Sequence, residues 1–305
     1  MKIQNIHIKE LKLTLYRLFN NPTAIIGFTL LSIFILIALF APIISPPLYK
    51  YNPYLIPHKG YSETPKPPTS TNLFGTTSGQ YDIFYGVVWG TRTAFKIGLF
   101  VSIFSCSIGI ILGILVCFCG NMVNKIIMKI VNMIFIIPSF ILAMVITFTL
   151  GGGLNSIVVS LILVKWKSYF VVMRAKFITL RQTEFVQVAK LMGATNFYIM
   201  LKHILPNVIL PVLSLIFVNF GSIVVLASFL SFIGLGSPRG YADWGQMIAL
   251  TKNYSIGPPN DPLKFWYVYV FPGTFIFLFA LTWNIVGKLI QDILEPRGYN
   301  SYNYV

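Results

Sequence analysis

Six long apolar stretches limit what this chain can fold into more than any other feature: residues 24–44, 97–119, 126–150, 154–173, 208–235 and 265–286. Each has about the 20 mostly apolar residues that a helix needs to cross the hydrocarbon core of a bilayer. A backbone in lipid finds no water to bond, so it must close its hydrogen bonds within the protein, and a continuous apolar run does so as a helix. The expected fold class is an all-α integral membrane protein with six transmembrane helices. Composition agrees, since 56% of the 305 residues are hydrophobic and 10% are charged, against roughly a quarter charged in soluble domains. The fourth stretch is interrupted by Lys165 and Lys167, which are expected either to snorkel or to mark where the helix leaves the membrane. The first stretch is too long for a signal-peptide core and no A-x-A-like site follows it, so it is read as an uncleaved span.

The net charge of +15 is no nucleic-acid footprint, because that requires a basic face on a soluble fold. Here the basic residues punctuate the apolar runs, and Lys and Arg collect in cytoplasmic segments of membrane proteins. With the amino terminus inside, the inner segments hold Lys2, Lys9, Lys12, Arg17, Lys125, Lys129, Lys165, Lys167, Arg174, Lys176, Arg181, Lys190, Lys202, Lys288 and Arg297, fifteen against eight outside. Both termini are therefore expected in the cytoplasm, with the chain multi-pass in the cell (inner or cytoplasmic) membrane. Two outer segments are long, the Pro-rich 45–70 and 236–264. The first is expected to be extended or irregular, and each is either a connector or part of a docking surface. Pro138, Pro211 and Pro272 are expected to kink their helices, and Gly151, Gly152 and Gly153 suit a tight outer turn.

All eight acids, Glu10, Glu63, Asp82, Glu184, Asp243, Asp261, Asp292 and Glu295, fall outside the six stretches. Proton-driven carriers depend on buried ionisable relays, so the energy source is expected elsewhere. A P-loop needs Gly-Lys followed by Ser or Thr, whereas the one Gly-Lys pair, Gly287-Lys288, precedes Leu289. An ATP-driven version thus requires a partner at a cytoplasmic loop. Cys106, Cys117 and Cys119 sit in one apolar run as small packing residues, and His7, His58 and His203 share no ligand spacing, so no metal site is expected within the chain.

Residues 184–207, "EFVQVAKLMGATNFYIMLKHILPN", are amphipathic in the midst of these spans. Thr183 is expected to cap a helix whose first turn carries Glu184. Phe185, Val188, Ala189 and Met192 form one apolar stripe at i, i+3, i+4 and i+7. Gly193 supplies a left-handed stop, and Thr195 caps a second short helix striped by Phe197, Leu201 and Ile204. The result is a helix, turn, helix bracket that either floats on the lipid surface or docks a partner.

The bracket resembles the EAA loop of membrane subunits in bacterial ABC importers, placed here at 174–206. Its triplet is Gln187-Val188-Ala189, its glycine Gly193 and its ending Leu205-Pro206. "EFVQVAKLMGA" and "KHILPN" are similar to the dipeptide and oligopeptide permease branch, of OppC/DppC type. "FGTTSGQYDIFYGVVWGTR", "LSFIGLGSP", "DWGQM", "FPGTF" and "NIVGKLIQDILEPR" extend the resemblance over most of the chain. The sequence departs from the branch at Thr77, Tyr81, Gln187 and Ala227, where acids, an arginine or a glutamate are usual.

The resemblance implies a type I importer permease (MetI-like) fold, with an N-terminal region 1–95, a permease domain 96–290 and a cytoplasmic tail 291–305. It implies as partners a second homologous permease, two ABC ATPase subunits that bind ATP and Mg²⁺ in place of this chain, an extracytoplasmic substrate-binding protein and the lipid bilayer, and no nucleic acid. No catalytic residue and no cofactor are expected here. ATPase coupling falls to Glu184, Gln187, Ala189, Lys190, Gly193, Ala194, Lys202, His203, Leu205 and Pro206. Cargo by resemblance is a di- or oligopeptide, with nickel or a metal chelate as the alternative; a non-transporting assembly or sensory subunit is the rival of another class.

Overall fold

The computed structural model describes residues 21–58, 60–118, 120–254 and 257–294. The basic residues before Pro22, with His7 and Glu10, lie outside the described residues, as do Lys59, Cys119, Glu295 and Arg297. The described residues form α1 (Pro22–Ile44), α2 (Ile83–Phe118), α3 (Gly120–Ile136), α4 (Ser139–Thr149), α5 (Leu154–Arg181), α6 (Glu184–Leu191), α7 (Asn196–Ile199), α8 (Leu205–Ile233), α9 (Trp244–Leu250) and α10 (Tyr267–Leu294). A π-helical turn, Met200–Ile204, joins α7 to α8, and a 3₁₀ turn, Lys252–Tyr254, follows α9. Five helices are long and apolar enough to cross a membrane, six if α3 and α4 count as one span.

That pair corrects the third stretch, 126–150, which was expected as a single helix. It breaks at Ile137 and Pro138, and the two halves meet at 96°. Pro138 has no N–H to continue the ladder and holds an extended conformation before α4, so the result is a break where a kink was expected. Pro211 and Pro272, by contrast, lie inside continuous helices.

The fourth stretch also differs. Helix α5 runs on through both lysines to Arg181; Lys165 is half-buried, whereas Lys167 is drawn inside. Lys167 is only 4% exposed; its Nζ donates to the Ile134 carbonyl at 2.9 Å and to Ser139 Oγ at 3.4 Å. An ammonium at the carboxyl end of α3 meets the negative end of the helix dipole and the carbonyls left unpaired by the break. Lys167→Met is expected to leave the Ile134 carbonyl unsatisfied at a cost of about 1–3 kcal/mol. A detergent-purified variant melting at the wild-type temperature refutes this clamp.

The second span starts at Ile83, ahead of the apolar stretch beginning at 97, because Arg92 and Lys96 mask its first turns. The fold satisfies both: Arg92 donates to the carbonyls of Ala38 and Leu39, and Lys96 Nζ lies 4.2 Å from the Tyr54 ring centroid.

Helix α2 packs along α5, and α8 along α10, with α1 against α10. At Gly109 of α2 an added Cβ would stand 2.6 Å from Tyr169 Cβ and 2.8 Å from the Phe170 nitrogen, so the absent side chain sets the approach of α2 and α5. Phe34, Phe95, Phe220, Trp244, Phe279 and Trp283 knot five helices together; Phe220 stacks on Trp283 with centroids 4.0 Å apart.

The Pro-rich segment is irregular, as expected, yet it is packed. Ile56 is buried at 1% exposure, and its N–H donates to Gly240 O while Ala242 N–H donates to Tyr54 O, each at 2.7 Å. These two long connecting segments thereby form one cap over the bundle.

Candidate functional site

Helix α5 ends when the Thr183 hydroxyl turns back to donate to the Leu180 carbonyl at 2.6 Å. Thr183 therefore occupies the cap position of α6 in extended conformation without a side-chain bond to it, and Glu184 stands in the first turn as expected. Helix α6 stops in a Schellman arrangement. Gly193 N–H donates to Lys190 O at 3.0 Å and Ala194 N–H to Ala189 O at 3.1 Å, with Gly193 at φ +83°, the left-handed geometry that glycine adopts without cost. Thr195 then accepts from Tyr198 N–H at 3.3 Å and opens α7.

Which face is buried differs from expectation. Val186, outside the expected stripe, is fully buried among Phe177, Ile199, Met200, Ile204 and Val208. Phe185, Val188 and Met192 of the expected stripe are exposed, as are Phe197 and Leu201 of the second; only Ala189 and Ile204 turn inward. Val186 thus roots the bracket in the cleft between α5 and α8. The tip is apolar and uncovered, with Leu191 88% and Met192 82% exposed.

Of the other site residues, Glu184, Gln187, Lys190, Gly193, Lys202 and Pro206 are exposed, while Ala189, Ala194, His203 and Leu205 are half-buried. His203 bridges the two arms, its ring 6.3 Å from Phe185 and 5.8 Å from Tyr198. Lys202 Nζ lies 5.1 Å from the Tyr198 ring centroid. The return into the bilayer passes through the π turn, where Leu205 N–H bonds Met200 O; Pro206 follows, unable to donate, and Asn207 Nδ2 donates to His203 O at 2.6 Å. A wide turn here redirects the chain without breaking the helix.

The bundle's other end carries a cavity of about 690 Å³, with Glu63, Tyr81, Arg239, Gln246 and Lys252 among its lining. Tyr81 lies against His58, ring centroids 4.4 Å apart. Beneath it Asp243, 4% exposed, accepts from Ser231 Oγ at 2.6 Å, Ser237 Oγ at 3.2 Å and Gly245 N–H at 3.0 Å. Burial pushes its carboxyl above the usual range, against the pull of these bonds. The sequence signal for this latch was available: an aspartate directly before a short helix is a preferred N-cap. Of the departures, Thr77 and Ala227 are buried at 0% and 1% exposure, Ala227 among Ile97, Val101, Ile223 and Leu230.

A bundle of apolar helices with one anchored amphipathic bracket has known relatives. The chain belongs to the family described as binding-protein-dependent transport system inner membrane components, which it matches over residues 107–298. Residues 10–68 match a second family, the N-terminal TM domain of oligopeptide transport permease C. Within this group the chain is 31% identical to the dipeptide transport system permease protein DppC of Alkalihalophilus pseudofirmus, over 91% of this chain and 87% of the relative. It is 32% identical to the probable D,D-dipeptide transport system permease protein DdpC of Escherichia coli, covering 88% and 86%, and 28% identical to the oligopeptide transport system permease protein OppC of Bacillus subtilis, covering 97% and 92%. All three are transport system permease proteins by name. Among solved structures, an inward-facing MetNI methionine ABC transporter aligns with TM-score 0.49 and 19% identity, over 68% of this chain and 97% of that chain.

Proposed function

We propose that the chain is a transmembrane permease subunit of an ATP-driven ABC importer of dipeptides and oligopeptides. It pairs with a second homologous permease to form the path, as a six-span, MetI-like subunit with both termini in the cytoplasm. Two separate ATPase subunits hold the ATP and Mg²⁺ and seat the bracket, and an external binding protein delivers cargo at the outer cap. The observation that carries this reading is the bracket itself: rooted by Val186, with an uncovered apolar tip at Leu191, Met192 and Gly193, which is the form of an interaction site.

Closure of the ATPases around ATP presses on the bracket. The rigid α6 passes the movement through the Val186 contact to the feet of α5 and α8, and the path changes its opening from the cytoplasm to the binding protein. Hydrolysis resets it. The test is uptake by proteoliposomes holding the full complex and binding protein. Labelled dipeptide is expected to accumulate only with ATP and to be insensitive to a proton ionophore. Uptake that collapses with the ionophore while ATP is constant overturns the ATP-driven reading, and partner binding without any uptake overturns transport.

A further inference from the structure

Helices α5 and α8 meet at a polar contact that neither the packing of the bundle nor the bracket requires. Lys165 Nζ donates to Ser222 Oγ at 3.1 Å, and Ser222 Oγ donates to the Asn219 carbonyl at 2.8 Å. The start of α5 and the end of α8 lie at the same level, since Gly153 N–H donates to Leu235 O at 2.8 Å. From those ends Lys165 and Ser222 each lie about 17 Å along their helices at 1.5 Å per residue. That depth is the middle of a hydrocarbon core roughly 30 Å thick.

The contact opens sideways. Lys165 is half-buried and Ser222 exposed, beside Val225, Phe229 and Phe232 on the same outward face of α8. An ammonium turned to lipid at mid-bilayer is costly, so such groups face a bundle interior or a water-filled path and are paired. Among the described residues no acid is placed for the pairing: the spanning helices contain only Asp292, in the last turn of α10. Lys167, two residues on, is committed to the break between α3 and α4. Lys165 keeps two donors beyond the one given to Ser222.

We infer that Lys165, supported by Ser222, binds the carboxylate of peptide cargo as it passes the middle of the membrane. This rests on the peptide-importer reading above. Two open donors on one ammonium match a two-oxygen anion. A lysine holds it as a point charge, without the bidentate fork of arginine, and a site on a path must bind well enough to admit cargo and weakly enough to release it.

The test uses the assembled complex in proteoliposomes with its binding protein and ATPases. Losing one charge-assisted bond in Lys165→Met is expected to slow uptake of a free-carboxylate dipeptide at limiting concentration by about tenfold. Lys165→Arg is expected to stay within about threefold of wild type, since the charge remains. Uptake of the C-terminally amidated dipeptide is expected to be the same in Lys165→Met and wild type, as is co-purification with the second permease. As an independent readout, reductive methylation of Lys165 in the wild-type complex, followed by mass spectrometry, is expected to slow when free-carboxylate dipeptide is present during turnover. Equal slowing of both peptides, unchanged uptake, undiminished labelling, or loss of the second permease from Lys165→Met, which signals a fixed acid on that neighbour, each overturns the carboxylate contact alone. A wild-type complex that takes up no peptide of either kind overturns the peptide reading and the contact with it.

Discussion

Gly193→Trp is expected to abolish ATP-driven uptake while leaving the protein folded and inserted. Gly193 sits at φ +83°, and a Cβ built there meets nothing within 4 Å, so the chain itself has room for a side chain. Any L-residue other than glycine pays about 1–2 kcal/mol for the left-handed conformation, asparagine less. That cost falls alike on Gly193→Ala and Gly193→Trp and is shared by the whole Schellman stop. The difference between the two variants is therefore the bulk projected from the exposed tip. If the tip seats in an ATPase groove, Gly193→Ala is expected to retain measurable uptake, Gly193→Asn more, and Gly193→Trp to lose uptake by well over about tenfold, because burying a clash of that size costs more than 1.4 kcal/mol. The check is uptake together with co-purification of the ATPase. Normal values of both in Gly193→Trp sink the docking assignment, and equal losses in Gly193→Ala and Gly193→Trp reassign the defect to backbone strain.

Much of this architecture was legible from local chemistry. Lipid leaves the backbone few options, so the apolar stretches announced the helices; the stop at Gly193 followed from one residue, while at Pro138 the sequence marked the place but only a kink, where the structure has a break. What was hidden depended on partners. Helix α6 has only eight residues and apolar groups on more than one side, so periodicity alone favoured Phe185, Val188 and Met192, while the hollow formed by Phe177, Met200 and Ile204 selects Val186. The same holds for Lys165 and Lys167. Spacing shows two cations in an apolar run, but only the broken ends of α3 and α4 explain why Lys167 stays inside. The early start of α2 escaped for the opposite reason, since carbonyls of α1 and an aromatic ring hide the cost of Arg92 and Lys96.

The second large effect is expected at Asp243, where Asp243→Ala is expected to lower the melting temperature of the purified protein more than any exposed bracket substitution does. The carboxylate joins the end of α8, through Ser231, to the start of α9, through Gly245 N–H, and ties down Ser237 between them. Alanine removes the cap of α9, worth about 1 kcal/mol, and strands two buried hydroxyls and an amide, which brings the expected loss to about 3 kcal/mol. Trp244 follows immediately, and its Nε1–H donates to Val87 O of α2 at 3.0 Å, so loosening α9 also loosens the aromatic knot. Asp243→Asn keeps one oxygen for Gly245 and is expected to cost less. The pH dependence has a defined sign. Burial raises the native carboxyl above its unfolded value, so the folded state holds the proton more tightly, and this contribution is full below the ordinary carboxylate range and lost as pH rises through the raised value. Wild type is therefore expected to lose ground against Asp243→Asn on going from acid to neutral pH. Melting curves of the two proteins at matched pH values decide it, and a difference that widens in favour of wild type with rising pH shows that the hydrogen bonds outweigh the burial.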